Sequence, residues 1–323
     1  MENRIAPEKE FRSVTLRLGF ALILNMLLVI FLLSIPSEIE YGITDGGLFD
    51  LTDAQYAAIE TLYGALYLLS FMLPVGLFAL ITPKYFKQPM RLAPRGGTDT
   101  FLIVIAGIGI VFSTAMLNSY LTRFVDYSPI YSDEPDTPVA FVMTFIVSCV
   151  VPAVCEEFLF RGCVLSNLLP YGKTTAIIGS ALMFALMHGN IKQYLYTFCA
   201  GLFLGLVYTE SGSIFPSMLL HLCNNFFDSA EGKLYDMGGK NGNAVYVFIE
   251  LCAILAALAA VALLVKRRQG RLFSAGGAVP TRNTVLPVSS NRVKLFFSPT
   301  IILTASISVI EALLTLLMAL SMQ

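Results

Sequence analysis

Long apolar runs separated by short polar links dominate this chain. Nine stretches stand out, at approximately 18–35, 61–81, 101–121, 139–165, 174–187, 193–209, 214–227, 244–265 and 300–320. A helix rises about 1.5 Å per residue, so about 20 apolar residues cross the ~30 Å hydrocarbon layer. The pattern therefore predicts an all-α integral membrane protein of about nine transmembrane helices. The fifth and seventh stretches are short for a span. One ends against His188 and the other carries His221. Short, polar-interrupted helices are tolerated where they face a protein interior or a wet cavity. The links have turn chemistry: Pro170-Tyr171-Gly172, His188-Gly189-Asn190, and Ser211-Gly212-Ser213 ahead of Pro216. Residues 266–298, basic and containing Ser, Pro and Gly, form the longest link. A mobile loop is expected there, with the last span as a separate hairpin partner.

Composition agrees with a membrane environment, since 56% of the residues are hydrophobic and 13% charged. A net charge of −1 argues against a nucleic-acid partner. The first eleven residues are polar, and no small-residue cleavage site closes the run that follows, which reads as a first membrane helix. The six cysteines (149, 155, 163, 199, 223 and 252) lie within or at the ends of apolar segments without a CxxC, as small packing residues. Threading nine spans from a cytoplasmic N-terminus puts all but Arg123, Lys192, Lys233 and Lys240 of the 21 basic residues on the cytoplasmic side. That includes Lys84, Lys87, Arg91, Arg95 and the basic 266–298 loop. The asymmetry favours the N-terminus in the cytoplasm. On this threading Glu156 lies about 15 Å, His221 about 10–12 Å and His188 about 21 Å from the cytoplasmic ends of their helices.

Charges and imidazoles at such depth cost several kcal/mol unless they satisfy one another. The chain has only two histidines, both in apolar surroundings, and a third apolar stretch contains Cys155-Glu156-Glu157-Phe158-Leu159-Phe160-Arg161. Glu157 and Arg161 are four apart with the acid first, the favourable orientation for a helical ion pair. Glu156 and Arg161, five apart, diverge by about 140° on an α-helix, which leaves Glu156 free on an adjacent face. Phe184 shares a face with His188, and His221 with Asn225. Asn25, Asn118, Glu250 and Glu311 are read as interhelical hydrogen-bonding or interfacial residues.

Three blocks now stand in order on successive apolar helices: Glu156-Glu157-x-x-x-Arg161, Phe184-x-x-x-His188 and His221-x-x-x-Asn225. Together with Thr209-Glu210-Ser211-Gly212-Ser213-Ile214-Phe215-Pro216, they resemble the CPBP family of intramembrane proteases. That family includes the type II CAAX-processing endopeptidases and the bacterial Abi proteins, the latter linked to bacteriocin self-immunity and peptide processing. The resemblance covers roughly 138–228 and implies a catalytic core in a helical bundle. It would be preceded by about three transmembrane helices in 1–137 and followed by further ones in 229–323. It also implies peptide-bond hydrolysis, with Glu156 and His188 on the attacking water, His221 and Asn225 on the oxyanion, and Glu157 and Arg161 as supports that fix the helix and tune Glu156. A carboxylate base and two oxyanion donors suit that reaction on chemical grounds alone.

A His₂Glu zinc site can be drawn from Glu156, His188 and His221. It would consume the groups needed as base and donors, and the HExxH helix of many zinc proteases is absent. A metal-independent mechanism is therefore expected, with zinc as the alternative. Gly-x-Ser-Gly and Gly-x-Gly-Asp motifs, which would indicate other intramembrane proteases, do not occur. The expected partners are a peptide or protein substrate at the membrane and the lipid bilayer, in a bacterial cytoplasmic membrane. The rival readings are a non-enzymatic immunity or regulatory protein that binds a partner in the same cavity, and a proton-coupled transporter.

Overall fold

The computed structural model describes residues 7–45, 50–82, 97–122, 137–238, 240–271 and 291–321, and among these every regular element is a helix. They are α1 (Pro7–Ile43), α2 (Asp53–Ile81), α3 (Gly97–Thr122), α4 (Pro138–Tyr171), α5 (Lys173–Leu186), α6 (Ile191–Ser211), α7 (Phe215–Gly238), α8 (Lys240–Arg267), α9 (Arg292–Phe296) and α10 (Pro299–Ser321). Local chemistry sets several of the ends. Thr52 and Gln55 form a reciprocal capping box at the start of α2, and Thr137 and Asn190 cap α4 and α6 through their side chains. Gly212 closes α6 in the left-handed conformation, φ 69°.

Each of the nine apolar stretches falls on a helix, and among the described residues six helices are long and apolar enough to cross a membrane: α1, α2, α3, α4, α8 and α10. The expected count of nine is therefore not confirmed by helix length and composition. The other three stretches lie on α5, which has 14 residues, and on α6 and α7, whose polar positions dilute their apolar character. The exposed large side chains are those of a lipid-facing surface, for example Leu255, Leu258 and Leu263 on α8 and Leu313, Leu314 and Leu317 on α10. The chain is an integral membrane protein in character.

The helices surround the short, polar ones. Helix α5 packs against α6 and the second half of α4, while α7 packs on α3, α4, α6 and α8. Helix α3 pairs with α8, and α1 lies against α2 and α10. One apolar core runs through Leu18 and Leu22 of α1, Leu159 and Leu165 of α4, Met183 of α5, Leu204 of α6 and Leu220 of α7.

The mobile loop expected at 266–298 falls mostly outside the described residues, at 272–290. The link ends in α9, whose Phe296 is buried against Gly179 of α5. A Cβ at Gly179 would come within 2.6 Å of that ring. The last helix docks on α1, at the far end of the chain from its sequence neighbour. Thr300 Oγ1 donates to the Leu16 carbonyl at 2.7 Å, and Gly19 has no side chain where Thr300 sits, 2.3 Å from where a Cβ would stand. Lys84, Lys87, Arg91, Arg95 and Arg123, which count towards the basic asymmetry, also lie outside the described residues.

Candidate active site

Helix α4 changes its winding around the paired glutamates. Turns of π-helix at Phe145–Val150 and Phe158–Leu165 flank an α-helical segment, Val151–Glu157, that ends on both acids. Such widened turns cluster at functional sites. Pro152 has no N–H for the Ser148 carbonyl four residues back. Asn225 of α7 donates its Nδ2 to that carbonyl at 3.4 Å, so a helix irregularity and a site residue are coupled.

The ion pair read from the i,i+4 spacing is present. Arg161 Nη1 donates to Glu157 Oε1 at 2.7 Å, with both side chains fully buried. Arg161 also donates from Nη2 to the Gly201 carbonyl at 3.2 Å, and its guanidinium lies 4.7 Å from the centre of the Phe184 ring. Glu157 does more than partner Arg161. The same Oε1 lies 3.0 Å from Nδ1 of His221, linking Arg161, Glu157 and His221 in one chain. Because an ionised carboxylate only accepts, Nδ1 carries the proton, and Nε2 of His221 can donate only when the ring holds both protons.

Glu156 occupies the next position. Tyr67 of α2 donates its hydroxyl to Oε1 in a short hydrogen bond. The other oxygen, Oε2, is buried without a hydrogen-bond partner and lies 3.8 Å from His221 Nε2. That separation exceeds a direct hydrogen bond. The ring of His221 thus stands between the two glutamates.

His188 follows α5 at the turn into α6. Its Nδ1 is 2.8 Å from the carbonyl of Phe184, one turn earlier. A carbonyl can only accept, so this nitrogen is the protonated one in the neutral ring, and Nε2 is left with a lone pair. Phe184 packs edge-on against both imidazoles, with centroid distances of 4.8 Å to His188 and 5.7 Å to His221. The Phe-x-x-x-His spacing therefore supplies an acceptor for one histidine and a wall for both.

Two cavities meet at His188. A mainly apolar one of about 200 Å³ is lined from α1, α2, α4 and α10 and contains Glu156, Tyr63, Tyr67, Asn25 and Glu311. A smaller, more polar one of about 90 Å³ contains His221, Asn224, Asn225, Gln193, Tyr196 and Asp228. The structure thus brings Glu156, Glu157, Arg161, His188 and His221 into one neighbourhood. Asn225 borders it from one turn further along α7, its Oδ1 accepting from Asn224 at 3.0 Å.

Sequence reasoning missed Tyr67, Tyr196, Asn224, Asp228 and the position of Glu311. A signal for Tyr67 existed: Tyr63, Tyr67 and Phe71 recur every four residues on an apolar helix, and their rings stack in sequence. Asn25 makes the interhelical bond expected of it, donating to the Ser70 carbonyl at 2.9 Å.

Among the described residues no three His, Cys, Asp or Glu side chains converge in metal-holding geometry. The Nδ1 bond of His221 to Glu157 and the Tyr67 bond to Glu156 Oε1 leave His221 Nε2 and Glu156 Oε2, 3.8 Å apart, as the atoms that could still ligate. As arranged, Glu156, His188 and His221 do not converge on one point as a His₂Glu zinc site requires.

Residues 138–227 match the family described as type II CAAX prenyl endopeptidase Rce1-like, and the matched segment contains all three motif blocks. No curated protein and no solved structure matches the chain.

Proposed function

We propose that this protein is an intramembrane endopeptidase that cleaves a membrane-associated or lipidated peptide by Glu/His-activated water, a reading supported by the match of residues 138–227 to the type II CAAX prenyl endopeptidase Rce1-like family. The observation that carries the reading is the free carboxylate oxygen of Glu156. It is buried, without a hydrogen-bond partner, and held in place from the other side by Tyr67.

In this mechanism Glu156 Oε2 takes a proton from a water that attacks the scissile carbonyl carbon. The lone pair on His188 Nε2 accepts the second hydrogen of the same water and aims it. As the C–O bond forms, the carbonyl oxygen becomes an oxyanion beside α7. Asn225 Nδ2 has a second hydrogen beyond the one given to Ser148, and it donates to that oxygen. His221 Nε2 donates as well, from a ring that carries both protons, with Glu157 holding Nδ1. Each such donor is worth about 3–4 kcal/mol of barrier. Glu156 then returns its proton to the leaving nitrogen as the C–N bond breaks, which restores the starting carboxylate. Arg161 touches none of the reacting atoms and holds Glu157 in the orientation that His221 needs. No metal takes part in these steps.

We further propose that the N-terminus faces the cytoplasm, a reading supported by the asymmetry of the basic residues. Labelling of single cysteines from either side of the membrane tests it, and outside labelling near the N-terminus contradicts it. For the activity, Glu156→Gln and His188→Ala should fold and insert normally yet lose processing of a membrane peptide. Retained biological effect in both variants favours the immunity or regulatory reading instead.

A further inference from the structure

Glu311 lies on α10, outside the matched segment, yet it lines the same cavity as Glu156 and His188. Its carboxyl group rests over the turn that follows His188. Gly189 there has φ +56°, and a Cβ built on it would stand 2.6 Å from Glu311 Cδ and 2.7 Å from Oε2. Glycine at this position provides both the left-handed turn and the room for the carboxylate.

Among the described residues, no basic side chain forms an ion pair with Glu311, and no Lys or Arg lines the cavity. The cavity therefore holds two carboxylates against one imidazole, within walls that are otherwise mainly aliphatic and aromatic. An ionised acid in such surroundings is costly, and a cation beside it offsets that cost. The stacked rings of Tyr63, Tyr67 and Phe71 add an aromatic wall of the kind that favours cations.

We propose that Glu311 is a substrate-selecting residue whose carboxylate binds a cationic group carried by an otherwise apolar peptide segment. The proposal rests on the protease reading only for the word substrate. The charge preference belongs to the cavity and can be read without cleavage.

The test uses the full-length Glu156→Gln protein in discs of phosphatidylcholine, a zwitterionic lipid without net charge. The probes are two fluorescent synthetic peptides with the same apolar sequence, one with a central Lys and one with a central Gln. Fluorescence anisotropy should show about tenfold tighter binding of the Lys peptide, the size of one partly buried charge pair. Adding Glu311→Gln should bring that ratio close to one while the Gln peptide binds as before, which also shows that the cavity is intact. Adding Glu311→Lys instead should reverse the preference towards a peptide with a central Glu. Equal binding of the Lys and Gln peptides by the Glu156→Gln protein overturns the proposal. So does a Lys preference that survives Glu311→Gln, or binding of neither peptide. If the wild type fails to cleave any peptide while the Glu311-dependent preference stands, the protease reading fails alone.

Discussion

Replacing Glu157 and Arg161 singly and together separates what holds the site from what reacts in it. Both side chains are fully buried and 2.7 Å apart. Glu157→Leu leaves a guanidinium at the centre of the bundle with the Gly201 carbonyl and the Phe184 ring as its remaining partners. Removing one member of a buried pair costs about 3–5 kcal/mol, largely because the other charge is left uncompensated. Arg161→Met strands the carboxylate in the same way, with His221 still beside it. The double variant Glu157→Leu/Arg161→Met removes both charges and fills the space with apolar atoms. Its stability should lie within about 1–2 kcal/mol of wild type and above either single variant. Reversible unfolding in mixed micelles reads these differences. Peptide cleavage reads something else: the double variant should remain inactive, because His221 has lost the acceptor that fixes its Nδ1. Additive destabilisation refutes the coupling of the pair. A stable, fully active double variant refutes the positioning of His221 by Glu157.

Other substitutions should act on single parts of the site. Tyr67→Phe removes the hydroxyl on Glu156 Oε1 while keeping the stacked rings, so kcat should fall about tenfold, equivalent to ~1.4 kcal/mol, with little change in melting temperature. Asn225→Ala should lower kcat by about 10²–10³ with KM nearly unchanged, as for a lost oxyanion donor; an effect confined to KM would remove it from that role. Gly189→Ala forces a side chain into a left-handed turn and against Glu311, so it should cost about 1–3 kcal/mol of stability and disturb His188, both visible in unfolding and cleavage assays. Exhaustive chelation should leave cleavage intact, and stoichiometric zinc whose removal abolishes activity would overturn the metal-free mechanism.

Much of this site is legible in the chain because its information is local. The spacing of Glu157 and Arg161 predicts their ion pair, and that of Phe184 and His188 predicts a shared face that proves to be a hydrogen bond. The 140° divergence of Glu156 from Arg161 assumed α-helical winding, whereas the structure runs through a π-helical segment from Phe158 onward. The ion pair survives because four residues still return to nearly the same side. Contacts between distant helices are another matter. Nothing in the periodicity of α2 says that Tyr67 meets Glu156 89 residues later, or that α10 comes back to α1 and carries Glu311 to the turn after His188. Hydrophobic pattern also gives nine spans where helix length and composition support six. It registers apolar runs, and α5, α6 and α7 are apolar for a different reason: they pack around the polar centre of the molecule.

The most direct measurement of the central claim is cleavage of a membrane peptide by the purified protein in isotopically labelled water, with wild type and Glu156→Gln compared side by side. The account predicts that wild type places one labelled oxygen in the new carboxylate of the product and that Glu156→Gln forms no product while binding the peptide normally. Cleavage by Glu156→Gln at the wild-type rate contradicts it.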